Sequence, residues 1–172
     1  MSAICNPQFL NVLLPGPPIA ALLADVGISH VVWLPDSALG PWEAAILATP
    51  SLQLVRVCRE GEAWVVAAGL HLGGKRPLVV IQNTGLFESG DALRNVLFDL
   101  GLPLFAVIGY RGYLVKNSPD TAKRFTEPIL RAWGLDYVLL DSPASAPRLA
   151  EHYRACQAAG KPGVVLVAEG RG

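Results

Sequence analysis

The sequence predicts an α/β domain of the three-layer, doubly wound type, built on a parallel sheet of about six strands. Three observations carry that reading. Short runs rich in Val, Leu and Ile alternate along the chain with longer stretches whose apolar residues recur at three-to-four spacing. The short runs are almost continuously apolar rather than alternating, as expected of strands covered on both faces. The chain has 172 residues, 52% apolar and only 16% charged, which suits one domain with a substantial core.

Taken in order, a Pro/Gly-rich "LPGPP" marks the entry to a first helix over 17–26, and "HVVWLP" (30–35) is the first strand. A helix over 38–48 leads to "LQLVRVC" (52–58), and one over 61–73 to "PLVVIQN" (77–83). The stretch 87–99 is the next helix, before the strand "LPLFAVIG" (102–109). Helices over 121–133 and 145–159 flank "DYVLLD" (136–141), and "GVVLVAE" (163–169) closes the series. The helices supply the crossovers a parallel sheet requires. No repeat, linker or low-complexity tract interrupts the rhythm, so residues 1–172 are read as a single domain. Ligands of such folds bind beyond the carboxyl ends of the strands, where strand order reverses. The informative segments are therefore "PDSALG", "REGE", "QNTG" and "GYRGYLVKNSPD".

Several function classes are excluded. Fourteen basic residues balance fourteen acidic ones with no basic stripe, which argues against nucleic acid and anionic membranes as partners. Cys5, Cys58 and Cys156 are odd in number and widely spaced, suggesting neither a disulfide framework nor zinc. With no leader-like or membrane-length apolar run, a cytoplasmic protein is expected. The first strand-helix turn lacks Gly-x-Gly-x-x-Gly, and no Walker loop occurs. "FESGD" around Ser89 has Phe87 where a hydrolase elbow needs glycine. His30, His71 and His152 show no paired spacing and read as core or surface residues.

The stretch "VRVCREGEAWVVAAG" sets Arg59, Glu60 and Glu62 between an apolar strand and an apolar helix. A surface turn explains such charge, as does a carboxylate that moves a proton, and a glutamate opening a helix also complements its dipole.

"LPDSALGPWEAAI", "VCREGEAWVVAAGLHLGGKRPLVVIQNTGLFESGDALRNVL", "LPLFAVIGYRG" and "RFTEPILRAWGLDY" together resemble, in order, the sulfopyruvate and phosphonopyruvate decarboxylase family. That family consists of thiamine-diphosphate-dependent 2-oxoacid decarboxylases, and the resemblance spans roughly residues 20 to 140. It implies a pyrimidine-binding domain. The Gly-Asp-Gly and downstream Asn of a diphosphate-binding domain are absent, since "SGDALRN" has alanine after Gly90-Asp91. The missing half, with its coordinated Mg2+, is therefore expected on a separate beta subunit in a hetero-oligomer.

The resemblance aligns Glu60 with the glutamate set against N1′ of the aminopyrimidine, where a poorly solvated carboxyl group promotes removal of the thiazolium proton. The strand 52–58 and the face of Ala63, Ala67 and Leu70 are expected to shield it. Glu62 is assigned to the helix end, and Cys58 to filling the strand end. The resemblance further implies cofactor contacts from Pro35 and Asn83, and substrate contacts from Asp36, Ser37, Asn83, Thr84 and Arg111. Asp, Ser and Asn also close turns without any ligand. Arg111 suits a second anionic group such as a sulfonate or phosphonate. Here the sequence departs from the family: "NSPDTAK" stands where an acidic-Pro-Gln-His run is expected, leaving the substrate open, and Lys116 and Lys123 read as solvated loop charge. The resemblance also admits carboligation, or a regulatory subunit of the same fold without turnover.

Overall fold

The computed structural model describes residues 13–34 and 39–170. In chain order the elements are α1 (Gly16–Asp25), β1 (His30–Trp33), α2 (Pro41–Leu47), β2 (Gln53–Arg56), α3 (Glu60–Leu72), β3 (Pro77–Gln82), α4 (Asn83–Glu88) and α5 (Gly90–Arg94). A π-helical turn (Asn95–Asp99) follows α5. Then come β4 (Phe105–Tyr110), α6 (Thr121–Ala132), β5 (Tyr137–Leu140), a 3-10 turn (Pro143–Ser145), α7 (Pro147–Ala159) and β6 (Gly163–Ala168). The six strands form one sheet in the order β2-β1-β3-β4-β6-β5, every pairing parallel. The doubly wound expectation is met, and the order reverses between β1 and β3.

Alternation along each central strand sends neighbouring side chains to opposite faces, which builds two core layers. Leu78 and Val80 of β3, with Val107 of β4, meet α1, α2 and α7 through Leu23, Trp42 and Tyr153. Val79 and Ile81, with Ile108, meet α3 to α6 through Ala63, Trp64, Leu93 and Leu130. Complete burial holds for β1, β4 and β6 and for β3 up to its half-buried last residue, Gln82, whereas the edge strands β2 and β5 are largely half-buried or exposed. Among the described residues no helix is long and apolar enough to cross a membrane.

Close helix packing on the first face depends on Gly16, at the start of α1. A Cβ there would lie 2.8 Å from the carbonyl oxygen of Pro41, at the start of α2. The obstructing atom is backbone, so Gly16→Ala is expected to destabilise the fold by about 1–3 kcal/mol, as overpacking does, and denaturant unfolding measures it.

The chain between β3 and β4 differs from expectation. A helix begins at Asn83, directly after β3, where "QNTG" reads as a loop. The stretch 87–99 is then broken at Ser89, whose buried hydroxyl accepts the indole N–H of Trp64 at 3.0 Å. The π-helical turn closes with Leu100 N–H donating to the carbonyl of Asn95, and Arg94 bridges Asp91 and Asp99.

Candidate active site

Most of the charge at the joint between β2 and α3 holds the joint together. Arg59 is the extended N-cap residue of α3. Glu62 reaches back so that its Oε2 accepts from the backbone N–H groups of Cys58 and Arg59, at 3.0 and 3.2 Å, which satisfies donors at the helix start. Glu88, the last residue of α4, spans to the same place. Its Oε1 accepts from Arg59 Nη2 at 2.8 Å and its Oε2 from the N–H of Gly61 at 2.9 Å. The Gly61 hydrogen bond first, and the Arg59 side chain second, hold the Glu88 carboxyl below the usual carboxylate range.

A depressed carboxylate pKa contributes stability that is complete above the unfolded value, 4.5, and is lost as pH falls through the folded value. Glu88→Gln is therefore expected to unfold at lower temperature than the parent at neutral pH, with the gap closing in acid below that value. Thermal unfolding of both proteins across pH measures it. Arg59 is 73% exposed, so the neutral-pH gap is expected to be small.

Glu60 is different. Its carboxylate makes no hydrogen bond or ion pair with a described residue, and it is half-buried. The side chain lies across the backbone of Gly85 in α4: a Cβ at Gly85 would come 2.7 Å from Oε1 and 2.8 Å from Cδ of Glu60. Gly85 is thus the seat of Glu60. The sequence reading missed this role, because "QNTG" reads as a loop, where a glycine calls for no special explanation.

The shielding expected for Glu60 needs correction. β2 is an exposed edge strand, and Ala63 and Ala67 are fully buried in the core layer beneath α3. Leu70 is half-buried. This chain alone leaves the carboxyl partly open to solvent rather than dry. Cys58 is also exposed rather than filling the strand end.

Asn83 and Thr84 open α4, where β3 ends. Asn83 is fully buried, and its Nδ2 donates to Thr126 Oγ1 at 3.1 Å. The Thr126 hydroxyl proton is committed to the carbonyl of Ala122 at 2.6 Å, so the amide must be the donor, which fixes its orientation. Oδ1 of Asn83 is then a buried acceptor without a hydrogen-bond partner. The evident work of Asn83 is to tie α4 to α6. Thr84 is half-buried, and its hydroxyl donates to Gln82 Oε1 at 3.0 Å.

Thr84 and Arg111 share a cleft of about 710 Å³ between α4 and α6, with Phe87, Asp120, Phe125 and Ile129 among its other walls. Arg111 Nε donates to Asp120 Oδ2 at 2.7 Å, and Asp120 caps α6 by accepting from the N–H of Ala122 at 2.9 Å. Hydrogen bonding from Arg111, and secondarily from Ala122, holds the Asp120 carboxyl below the usual range against the opposing effect of burial.

Lys123 is not the solvated charge that the sequence suggests. Its ammonium donates to the carbonyls of Tyr113 and Val115, at 3.0 and 2.7 Å, and pins the loop after β4 to α6. Lys116 is exposed, as expected.

The structure therefore brings Glu60, Asn83, Thr84 and Arg111 to the carboxyl end of the sheet. Pro35, Asp36 and Ser37 lie outside the described residues. His30 opens β1 at the opposite, amino end, and His71 lies in the last turn of α3. Neither is near Glu60. His152 lies in α7, on the far face, against Phe105.

No family model matches the chain. Curated relatives do. The sulfopyruvate decarboxylase subunit alpha of Methanothermobacter thermautotrophicus is 31% identical over 133 residues, covering 76% of both chains. The protein of the same name from Methanococcus maripaludis is 25% identical over 129 residues, covering 74% of this chain and 77% of that one. The phosphonopyruvate decarboxylase of Streptomyces viridochromogenes is 29% identical over 143 residues, which is 81% of this chain but only 36% of the relative.

Proposed function

The chain belongs to the family of the sulfopyruvate decarboxylase alpha subunits, and from that premise we propose that it is the pyrimidine-binding subunit of a thiamine-diphosphate-dependent decarboxylase of small 2-oxoacids. The observation that carries the reading is Glu60: a half-buried carboxylate at the carboxyl end of the sheet, seated on Gly85 and without a hydrogen-bond or ion-pair partner among the described residues. Three neighbouring charged residues have structural partners; this one does not.

The residues fit the proposed cofactor. A carboxyl group with spare hydrogen-bonding capacity suits N1′ of an aminopyrimidine, and its partial exposure leaves it accessible. When bound, thiamine diphosphate supplies the nucleophilic carbon and the electron sink for decarboxylation. Glu60 holds a proton at N1′ and exchanges it as the ring's basicity changes. Gly85 keeps that carboxyl in place, and the Arg59–Glu88–Gly61 hydrogen bonds fix the helix end that carries it.

In the reaction, the bond between C1 and C2 of the 2-oxoacid breaks. Carbon dioxide leaves and a proton takes its place, giving the aldehyde. The diphosphate and its Mg2+ are assigned to a beta subunit, a division supported by the relatives named as alpha subunits and by the 36% coverage of phosphonopyruvate decarboxylase.

The test is co-expression with the product of a neighbouring reading frame that carries Gly-Asp-Gly and a downstream Asn. Carbon dioxide and aldehyde released in equal amounts from a 2-oxoacid, dependent on thiamine diphosphate and on both chains, is the expected result. A carboligation product, or no turnover by the complex, would reject this function.

A further inference from the structure

We propose that Thr126 of α6 is a positioning residue for Glu60: through the buried amide of Asn83 it fixes the first turn of α4, and with it the Gly85 backbone against which the Glu60 side chain lies. The inference depends on the decarboxylase reading and extends it to a residue on another element.

Short length makes α4 dependent on its neighbours. It has six residues, Asn83–Glu88, fewer than two turns, and a helix that short has little stability of its own. Its N-cap residue, Gln82, makes no side-chain capping hydrogen bond. The two ends are tied to different helices. Glu88 holds the start of α3 through Arg59 and the N–H of Gly61, the residues on either side of Glu60. Asn83 reaches the other way, its Nδ2 donating to Thr126 Oγ1 at 3.1 Å. Gly85 lies between these ties, two residues from Asn83, with Glu60 against it.

The Asn83–Thr126 bond is better suited to fixing a position than to adding stability. Both side chains are fully buried. Thr126 spends its own proton on the Ala122 carbonyl, at 2.6 Å, so its oxygen is held on the backbone of α6 and accepts from Asn83. Asn83 Oδ1 stays buried and unpaired. A buried acceptor in that state costs as much as one hydrogen bond contributes, or more. What remains is direction: one oxygen on a twelve-residue helix sets where Asn83, and hence the turn that carries Gly85, can sit. Without it the turn is free to shift, and a displacement of about an ångström is costly in an aligned site.

The experiment is kcat of the assembled enzyme, measured with whichever of pyruvate, sulfopyruvate and phosphonopyruvate it consumes fastest. The variants are Thr126→Val, which keeps the shape without the hydroxyl, and Thr126→Ser, which keeps the hydroxyl, each made alone and with Glu60→Gln. Thr126→Val is expected to lower kcat about ten- to a hundredfold, and Thr126→Ser to stay near the parent. Beside Glu60→Gln the valine is expected to cost nothing more, because it acts only through Glu60. Gly16→Ala, which strains the helices on the opposite face of the sheet, is expected to keep the parent's kcat. Thr126→Ala carries the same expectation as valine should valine prevent assembly; failure of both to assemble makes Thr126 a determinant of folding and overturns the proposal. Full activity in Thr126→Val, an equal loss in Thr126→Ser or Gly16→Ala, or losses that multiply with Glu60→Gln overturn the positioning role and leave the decarboxylase intact. No turnover of any probe by the parent complex, or near-normal turnover by Glu60→Gln, overturns the decarboxylase reading and the positioning role together.

Discussion

Glu60→Gln is expected to leave the assembled protein folded and to lower kcat by at least about a hundredfold, the scale of positioned acid–base catalysis. Glutamine matches glutamate in shape. Because the Glu60 carboxylate has no hydrogen-bond or ion-pair partner among the described residues, the substitution orphans none of them. What it removes is the ability to hold and release a proton. The competing account makes Glu60 a complement to the dipole of α3, worth ~0.3–1 kcal/mol. That account puts the loss in stability and leaves turnover nearly unchanged. Thermal unfolding and steady-state kinetics on one preparation separate the two, and near-normal decarboxylation by Glu60→Gln removes the residue from the mechanism.

Gly85→Ala is expected to be nearly as damaging to turnover, about a hundredfold, and not to stability. The added methyl would fall closest to Cγ of Glu60, with Oε1 at 2.7 Å and Cδ at 2.8 Å. These atoms belong to a side chain rather than to backbone, and because Cγ lies near its root the glutamate must turn to another rotamer to clear the methyl. Alanine also favours a helix over glycine by ~1 kcal/mol, which offsets what the displaced contact costs. Misplacement by an ångström is enough to cost about two orders of magnitude in an aligned site. The double variant Glu60→Gln/Gly85→Ala is expected to be no slower than Glu60→Gln alone, because the second change acts only through the first residue. Multiplying losses in the double variant would show that Gly85 acts elsewhere.

The contrast between these two residues shows what the sequence could and could not convey. The central strands were legible because two-sided burial leaves uninterrupted runs such as "PLVVIQ" and "FAVIG", and the sheet's polarity followed from the helices between them. Glu60 is singled out only by the family resemblance, since its own surroundings, charge at a helix start, suit a solvated turn equally well.

The first turn of α4 was not legible. Asn-Thr-Gly reads locally as a turn, yet here it is helical. The amide of Asn83 is held by Thr126, 43 residues away, and Gly85 is pressed by Glu60 from across the sheet's end. Partners that distant leave no periodicity to find. Lys123 was misread for the same reason: its role lies in two carbonyls of a loop that folds back over it. The edge strand β2 reads as apolar in the sequence but is only partly covered, because among the described residues no strand pairs with its far side.

The claim on which the rest depends is that one cofactor site is divided between two chains, with Glu60 contributed by this one. Calorimetric titration of thiamine diphosphate with Mg2+, into this chain alone and into the complex with its diphosphate-binding partner, tests it most directly. Saturable binding by the complex and none by the isolated chain is the result expected. Equally tight binding by the isolated chain, or none by either sample, would contradict it.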